Sequence, residues 1–234
     1  MITAEDKDYQ ESKLIKQGKR NRLFPFDELA EWIKATYNTP VLNICYEVIS
    51  PFKRPRLNVI FEFTSEAEKF RDGAFNYDSE KQDAISVVFK KILKRNDSQS
   101  QSFSQRILRK VGIQKYQTKN MFVIFTSFEM DARDEVRSQI KESEIDDLIK
   151  SMHRREIWQF SHGSFFFYTD DQVERARSDG TYERLADALF RLFKKYDEFD
   201  YFQRDSFIVE IDSKEKFDNN YQGNWFYYSR DHGW

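Results

Sequence analysis

The residues able to do covalent or metal chemistry are few in this chain. His153, His162 and His232 are its three histidines and Cys45 is its single cysteine. A zinc site draws three or four ligands from His, Cys and carboxylate, and no two of these histidines stand at i, i+4 spacing. His162 beside Gly163 reads as a hairpin turn. His153, within His153-Arg154-Arg155, reads as a helix end, where positive charge suits the carbonyl terminus. Cys45 lies in the apolar run Val41 to Ile49 and reads as a buried structural thiol, not a nucleophile. No G-x-S-x-G elbow, P-loop or G-x-G-x-x-G is present, and seven scattered glycines cannot build a phosphate cradle of that kind. Adjacent acids on a helix point in different directions, so Asp146-Asp147 and Asp170-Asp171 read as a solvated face and a helix start. The enzyme reading that these residues leave is hydrolase-like, using carboxylates and His232 next to Asp231. No cofactor and no metal are expected.

Two segments carry binding chemistry instead. The C-terminal run Gly223-Asn224-Trp225-Phe226-Tyr227-Tyr228-Ser229-Arg230 concentrates the residue types that dominate protein-binding hot spots. Read as a strand, Trp225 and Tyr227 face one side, Phe226 and Tyr228 the other. Trp225, Tyr227 and Arg230 are then the candidate anchors for a partner protein. The second segment is basic: Phe89 to Lys119 holds nine Lys or Arg and one acid. Lys90, Lys91, Lys94 and Arg95 close a predicted helix, and Arg106, Arg109 and Lys110 follow a Ser/Gln-rich stretch. This strip could track a phosphate backbone. Against that, lysine near a helix C-terminus also suits the helix dipole.

The whole-chain charge of −2 predicts no general attraction to nucleic acid or membrane. Its distribution is uneven, because Glu129 to Ile149 and Tyr196 to Trp234 each carry an excess of five acids. With 39% hydrophobic and 33% charged residues the composition is that of a globular chain, not a disordered one. With one cysteine, no intrachain disulfide can form. The charged N-terminus lacks the apolar core of a secretory signal, and no window approaches the roughly 20 apolar residues of a membrane span. A cytoplasmic location is expected.

The elements that must position these residues read as a mixed chain. Met1 to Arg22 is a polar leader, helical or loose. A helix is predicted over Phe24–Tyr37, a hairpin from Val41–Ile49 and Leu57–Phe63, and a strand over Met121–Phe125. A helical stretch follows over Met130–Met152, then a second hairpin from Glu156–Phe160 and Phe165–Tyr168. Ser65 with Glu68, Ser79 with Gln82, and Thr169 with Gln172 have capping-box spacing. Ile85, Val88, Phe89, Ile92 and Leu93 form one apolar helix face, and Leu185, Ala188, Leu189, Leu192 and Phe193 another. Val59–Arg95 and Phe165–Tyr196 therefore read alike, as strand, cap, short helix, Asp-Gly break and longer helix. Val209–Ser213 followed by Glu215-Lys216-Phe217 echoes Phe61–Ser65 followed by Glu68-Lys69-Phe70. The expected fold is α+β, antiparallel hairpins covered on one face by amphipathic helices, in two pseudo-repeated α-β-β-α units. The expected divisions are a leader 1–22, a unit 23–95, a linker 96–118 and a unit 119–234. The expected function is a non-catalytic protein-interaction module, of which an immunity-type or accessory binding protein is an example. Nucleic-acid binding through 89–119 is the alternative.

Overall fold

The apolar and β-branched residues of the first hairpin pair as their alternation predicts. β1 (Asn43–Ile49) runs antiparallel to β2 (Arg54–Phe61), with Ile44 opposite Val59 and Tyr46 opposite Leu57. The computed structural model describes residues 6–73, 76–99, 116–152, 155–161 and 163–232. It shows a mixed α+β chain that forms two compact units, Met1–Ala132 and Arg133–Trp234.

In the first unit, α1 (Lys7–Lys16) and α2 (Phe26–Tyr37) precede the hairpin. α3 (Thr64–Glu68), the short pair β3 (Arg71–Asp72) and β4 (Asn76–Tyr77), and α4 (Ser79–Gln99) follow it. β5 (Phe122–Ser127) then returns beside β2 and pairs with it in parallel, giving the order β1-β2-β5. A parallel partner needs a long crossover, which the α3–α4 segment supplies. Leu57, Val59 and Phe61 are fully buried against Leu29, Ile33, Ile85 and Phe89 of α2 and α4. The alternate residue Asn58 faces the other way, where its side chain donates to Asp8 of α1 and accepts from Thr126. α1 is thus no loose leader: Tyr9 is 2% exposed and stacks on Phe128. Helices lie over both faces of the sheet, not one.

The second unit is built around a three-stranded sheet of its own. α5 (Phe128–Gln139) carries the boundary between the units, and α6 (Glu142–Ser151) leads into β6 (Ile157–Ser161) and β7 (Ser164–Phe167). α7 (Asp170–Ser178) and α8 (Thr181–Lys194) follow. β8 (Glu210–Ser213), α9 (Lys214–Tyr221) and α10 (Trp225–His232) end the chain. β8 pairs in parallel with β7, so the sheet order is β6-β7-β8. Phe165 and Phe167 enter the core under α7 and α8, while Phe166 points the opposite way and packs on Phe217 and Tyr228. A strand buried on both faces reads as a continuous apolar run, which is why Ser164-Phe165-Phe166-Phe167 does not alternate.

A pair of hydrogen bonds to a glutamate occurs at the strand-to-helix junction of each unit. Phe61 lies opposite Ser127, and Phe167 opposite Ser213. Glu129 N–H donates to the Glu62 carbonyl and its carboxylate accepts from Thr64 N–H at 2.9 Å. Glu215 N–H donates to the Tyr168 carbonyl and its carboxylate accepts from Asp170 N–H at 3.1 Å. Each glutamate thus satisfies an N–H that the helix start leaves without an intrahelical acceptor.

Several local expectations differ from the structure. The boundary between units falls after Ala132, not within 96–118, because β5 completes the first sheet; residues 100–115 lie outside the described residues. α3 begins two residues earlier than its capping-box spacing suggests, with Phe63 and not Ser65 at the cap: Glu66, not Glu68, accepts from Phe63 N–H. α4 is capped by Asp78, which accepts from Lys81 N–H, while the Gln82 side chain donates to the Val123 carbonyl. The Thr169–Gln172 capping box forms as read. The strand expected at Trp225–Tyr228 is helix. Among the described residues no helix is long and apolar enough to cross a membrane.

Candidate functional site

The aromatic C-terminus is positioned by α10. Asn224 caps it, its side chain accepting from Phe226 N–H at 2.9 Å. Trp225, Tyr228 and His232 stand at i, i+3 and i+7, on the face turned toward the sheet. Tyr228 is 1% exposed, and Trp225 packs on Phe217 with ring centroids 4.3 Å apart. Trp158 of β6 lies parallel to Trp225 at 6.4 Å. The layer is therefore an aromatic cluster of Trp158, Phe166, Phe217, Trp225 and Tyr228, closed by the His232 ring stacked 3.9 Å from Tyr228.

Beneath it sits a buried carboxylate. Asp212 accepts from the Tyr228 hydroxyl at 2.6 Å, from Lys216 Nζ at 3.1 Å and from Ser213 N–H at 2.9 Å. Burial, reinforced by this hydrogen bond to Asp212, pushes the Tyr228 phenol well above its ordinary range. The network locks β8, α9 and α10 together.

The opposite face of α10 carries Phe226, Tyr227 and Arg230. Phe226 is 71% and Tyr227 45% exposed, so the rings lie outside any core. Their centroids are 5.6 Å apart, and the Arg230 guanidinium lies 5.5 Å from the Tyr227 ring while donating to Asp231 at 2.9 Å. Of the three anchors read from sequence, Tyr227 and Arg230 are brought together on the surface, whereas Trp225 faces the aromatic cluster. Phe226, read from sequence on the opposite side of a strand from Trp225 and Tyr227, takes its place. Helical spacing was the missed signal, since Tyr221, Trp225, Tyr228 and His232 recur at i, i+4, i+7 and i+11.

The other candidates scatter. Lys90, Lys91, Lys94 and Arg95 share the last turns of α4, where Arg95 pairs with Glu28. Arg106, Arg109 and Lys110 lie outside the described residues, as do His153 and His162. His232 is turned to Tyr228 and its carbonyl, and Asp231 pairs with Arg230. Three carboxyl groups are held below the ordinary carboxylate range: Asp78 by Lys81, Glu144 by the Tyr196 hydroxyl and Asp200 by Lys194. Burial raises the Cys45 thiol far out of the nucleophilic range, with Asp8 adding to it. Among the described residues no group of three or more His, Cys, Asp or Glu is placed to hold a metal ion.

An open groove of about 690 Å³ lies between α6 and the edge strand β6, lined by Ile145, Ile149, Trp158 and Phe160 with Arg137, Asp146 and Lys150 at its polar positions. Comparison with protein-family models, with curated proteins and with solved structures gave no match.

Proposed function

We propose that the protein is a non-catalytic, cytoplasmic binding module that docks a partner protein through the outward face of α10. The observation that supports this reading is the exposed Phe226–Tyr227–Arg230 cluster, held on a helix whose other face is fixed by aromatic packing and the Asp212 network. Aromatic rings carried on a rigid element lose little conformational freedom when bound, which is what a hot spot requires. Docking of this kind acts by occlusion or recruitment, the mode of an immunity-type or accessory protein. In the same reading the two units are copies of one structural repeat, and the surface cluster is what the second adds to it.

The test is a triple replacement, Phe226→Ala, Tyr227→Ala and Arg230→Ala, in affinity capture from the native cell extract. Recovery of the specific partner should fall by about thirtyfold or more, the scale of a single hot-spot residue, with an unchanged far-UV circular dichroism spectrum. Unchanged recovery refutes the assignment. A Trp225→Ala variant should instead lose stability, because that ring is part of the inner cluster.

A further inference from the structure

We propose that the tip of the β1–β2 hairpin in the first unit is a binding site for single-stranded nucleic acid. The turn between Ile49 and Arg54 places Phe52 outside the core, 87% exposed. Beside it is an open cavity of about 750 Å³ lined by Phe52, Lys53, Arg54, Lys119, Gln117 and Asn120, with no acidic residue among the described residues of its wall. The nearest acid on the hairpin, Glu47, is paired with Arg56. Lys53, Arg54 and Lys119 make no ion pair among the described residues.

The Arg54 cation is held in place. The Arg54 guanidinium lies 4.4 Å from the Phe122 ring, and its Nε donates to the Asn120 carbonyl at 3.3 Å. Lys53 and Asn120 both adopt the left-handed region, with φ of 49° and 55°. Asparagine tolerates that conformation and glycine prefers it, whereas lysine there is strained. The chain thus holds a cation at a corner where glycine would fold more easily.

An exposed ring surrounded by cations and two side-chain or backbone amides is the arrangement that stacks a base while neutralising its phosphates. A duplex offers no free base face to such a ring, so the strand must be single. A bilayer is the poorer fit, because Phe52 stands among cations and not within an apolar patch. The site is distinct from the basic strip of α4 and shares Gln117 and Lys119 with the segment 89–119.

The full chain should be titrated against fluorescently labelled oligo(dT) and oligo(U) of about twelve nucleotides, with anisotropy as the readout. Three phosphate contacts predict a slope of log affinity against log salt of about −2. Phe52→Ala should weaken binding about tenfold while leaving that slope unchanged. Lys119→Ala should reduce the slope by about 0.7. Lys53→Gly should weaken binding without lowering the melting temperature, which a purely structural role for this corner does not predict. Absence of binding at low salt overturns the proposal. So does binding that is indifferent to Phe52, which would be non-specific charge attraction. Phe52-dependent binding to phosphatidylserine vesicles with none to the oligonucleotides overturns it in favour of a membrane surface.

Discussion

Phe166→Ala is expected to destabilise the second unit by about 3–5 kcal/mol, the cost of removing a fully buried phenyl ring and leaving a cavity. Phe166 is fully buried and its ring meets Trp158, Phe217, Trp225 and Tyr228 at centroid separations of 5.2 to 6.2 Å. These partners come from β6, α9 and α10, so no single side chain can swing in to refill the space. A domain is stable by only about 5–15 kcal/mol, so the loss is a large part of what holds α9 and α10 on the sheet. Denaturant unfolding followed by tryptophan fluorescence should show it directly, since Trp158 and Trp225 report on the cluster itself. Phe226→Ala, on the outer face of the same helix, should change stability by less than about 0.5 kcal/mol. A Phe166→Ala loss below about 1 kcal/mol would contradict the two-faced packing described for β7. Partner capture should fail in Phe166→Ala as well, because the α10 surface is held in place from beneath.

Tyr228→Phe should cost about 1.5–3 kcal/mol at neutral pH, the range for a buried hydrogen bond to a charged group. Asp212 would keep Lys216 and Ser213 N–H but lose its shortest partner, the Tyr228 hydroxyl at 2.6 Å. The same hydrogen bond sets an alkaline limit. The folded state raises the Tyr228 pKa, through burial first and Asp212 second, above its unfolded value near 10. Below pH 10 both states hold the proton and the stabilisation is complete. Above pH 10 the unfolded chain loses the proton while the folded one keeps it, so stability falls with rising pH, by about 1.4 kcal/mol per pH unit for this group. Tyr196, which donates to Glu144, is shifted upward by that hydrogen bond and acts in the same direction. Denaturant midpoints between pH 9 and 12 should therefore fall less steeply for Tyr228→Phe than for the unaltered chain. Parallel slopes would show that Tyr228 does not titrate with unfolding.

What the residues disclosed by themselves was local. Apolar and aromatic runs bounded by turn residues placed both hairpins, and period-3.6 faces placed α4 and α8, because strand and helix signals are properties of neighbouring residues. The Thr169–Gln172 cap was equally legible. Ser65–Glu68 and Ser79–Gln82 have the same spacing, yet the structure uses Glu66 and Asp78. Several polar residues cluster at each helix start, and which of them meets the free N–H depends on where the preceding strand ends. The strand ends are fixed by pairing with β5, more than 60 residues away in the chain.

The larger misreading, Trp225–Tyr228 as a strand, had the same origin. Four successive aromatics satisfy either period over so short a span, and aromatic residues favour strands on their own. The requirement that decides between them is remote: Phe166 points away from the core under α7 and α8, so the second face of its sheet needs a cover. α9 and α10 provide that cover, which turns Trp225 inward and leaves Phe226 and Tyr227 outside. The basic hairpin tip was hidden for a related reason, since Lys53 and Arg54 meet Gln117, Lys119 and Asn120 only because β5 enters beside β2. Composition and periodicity thus determined an α+β chain with two hairpins and amphipathic helices over them. Which aromatics are core and which are surface, and which cations share a site, was decided by the parallel third strand of each sheet, a pairing between distant segments that no local pattern encodes.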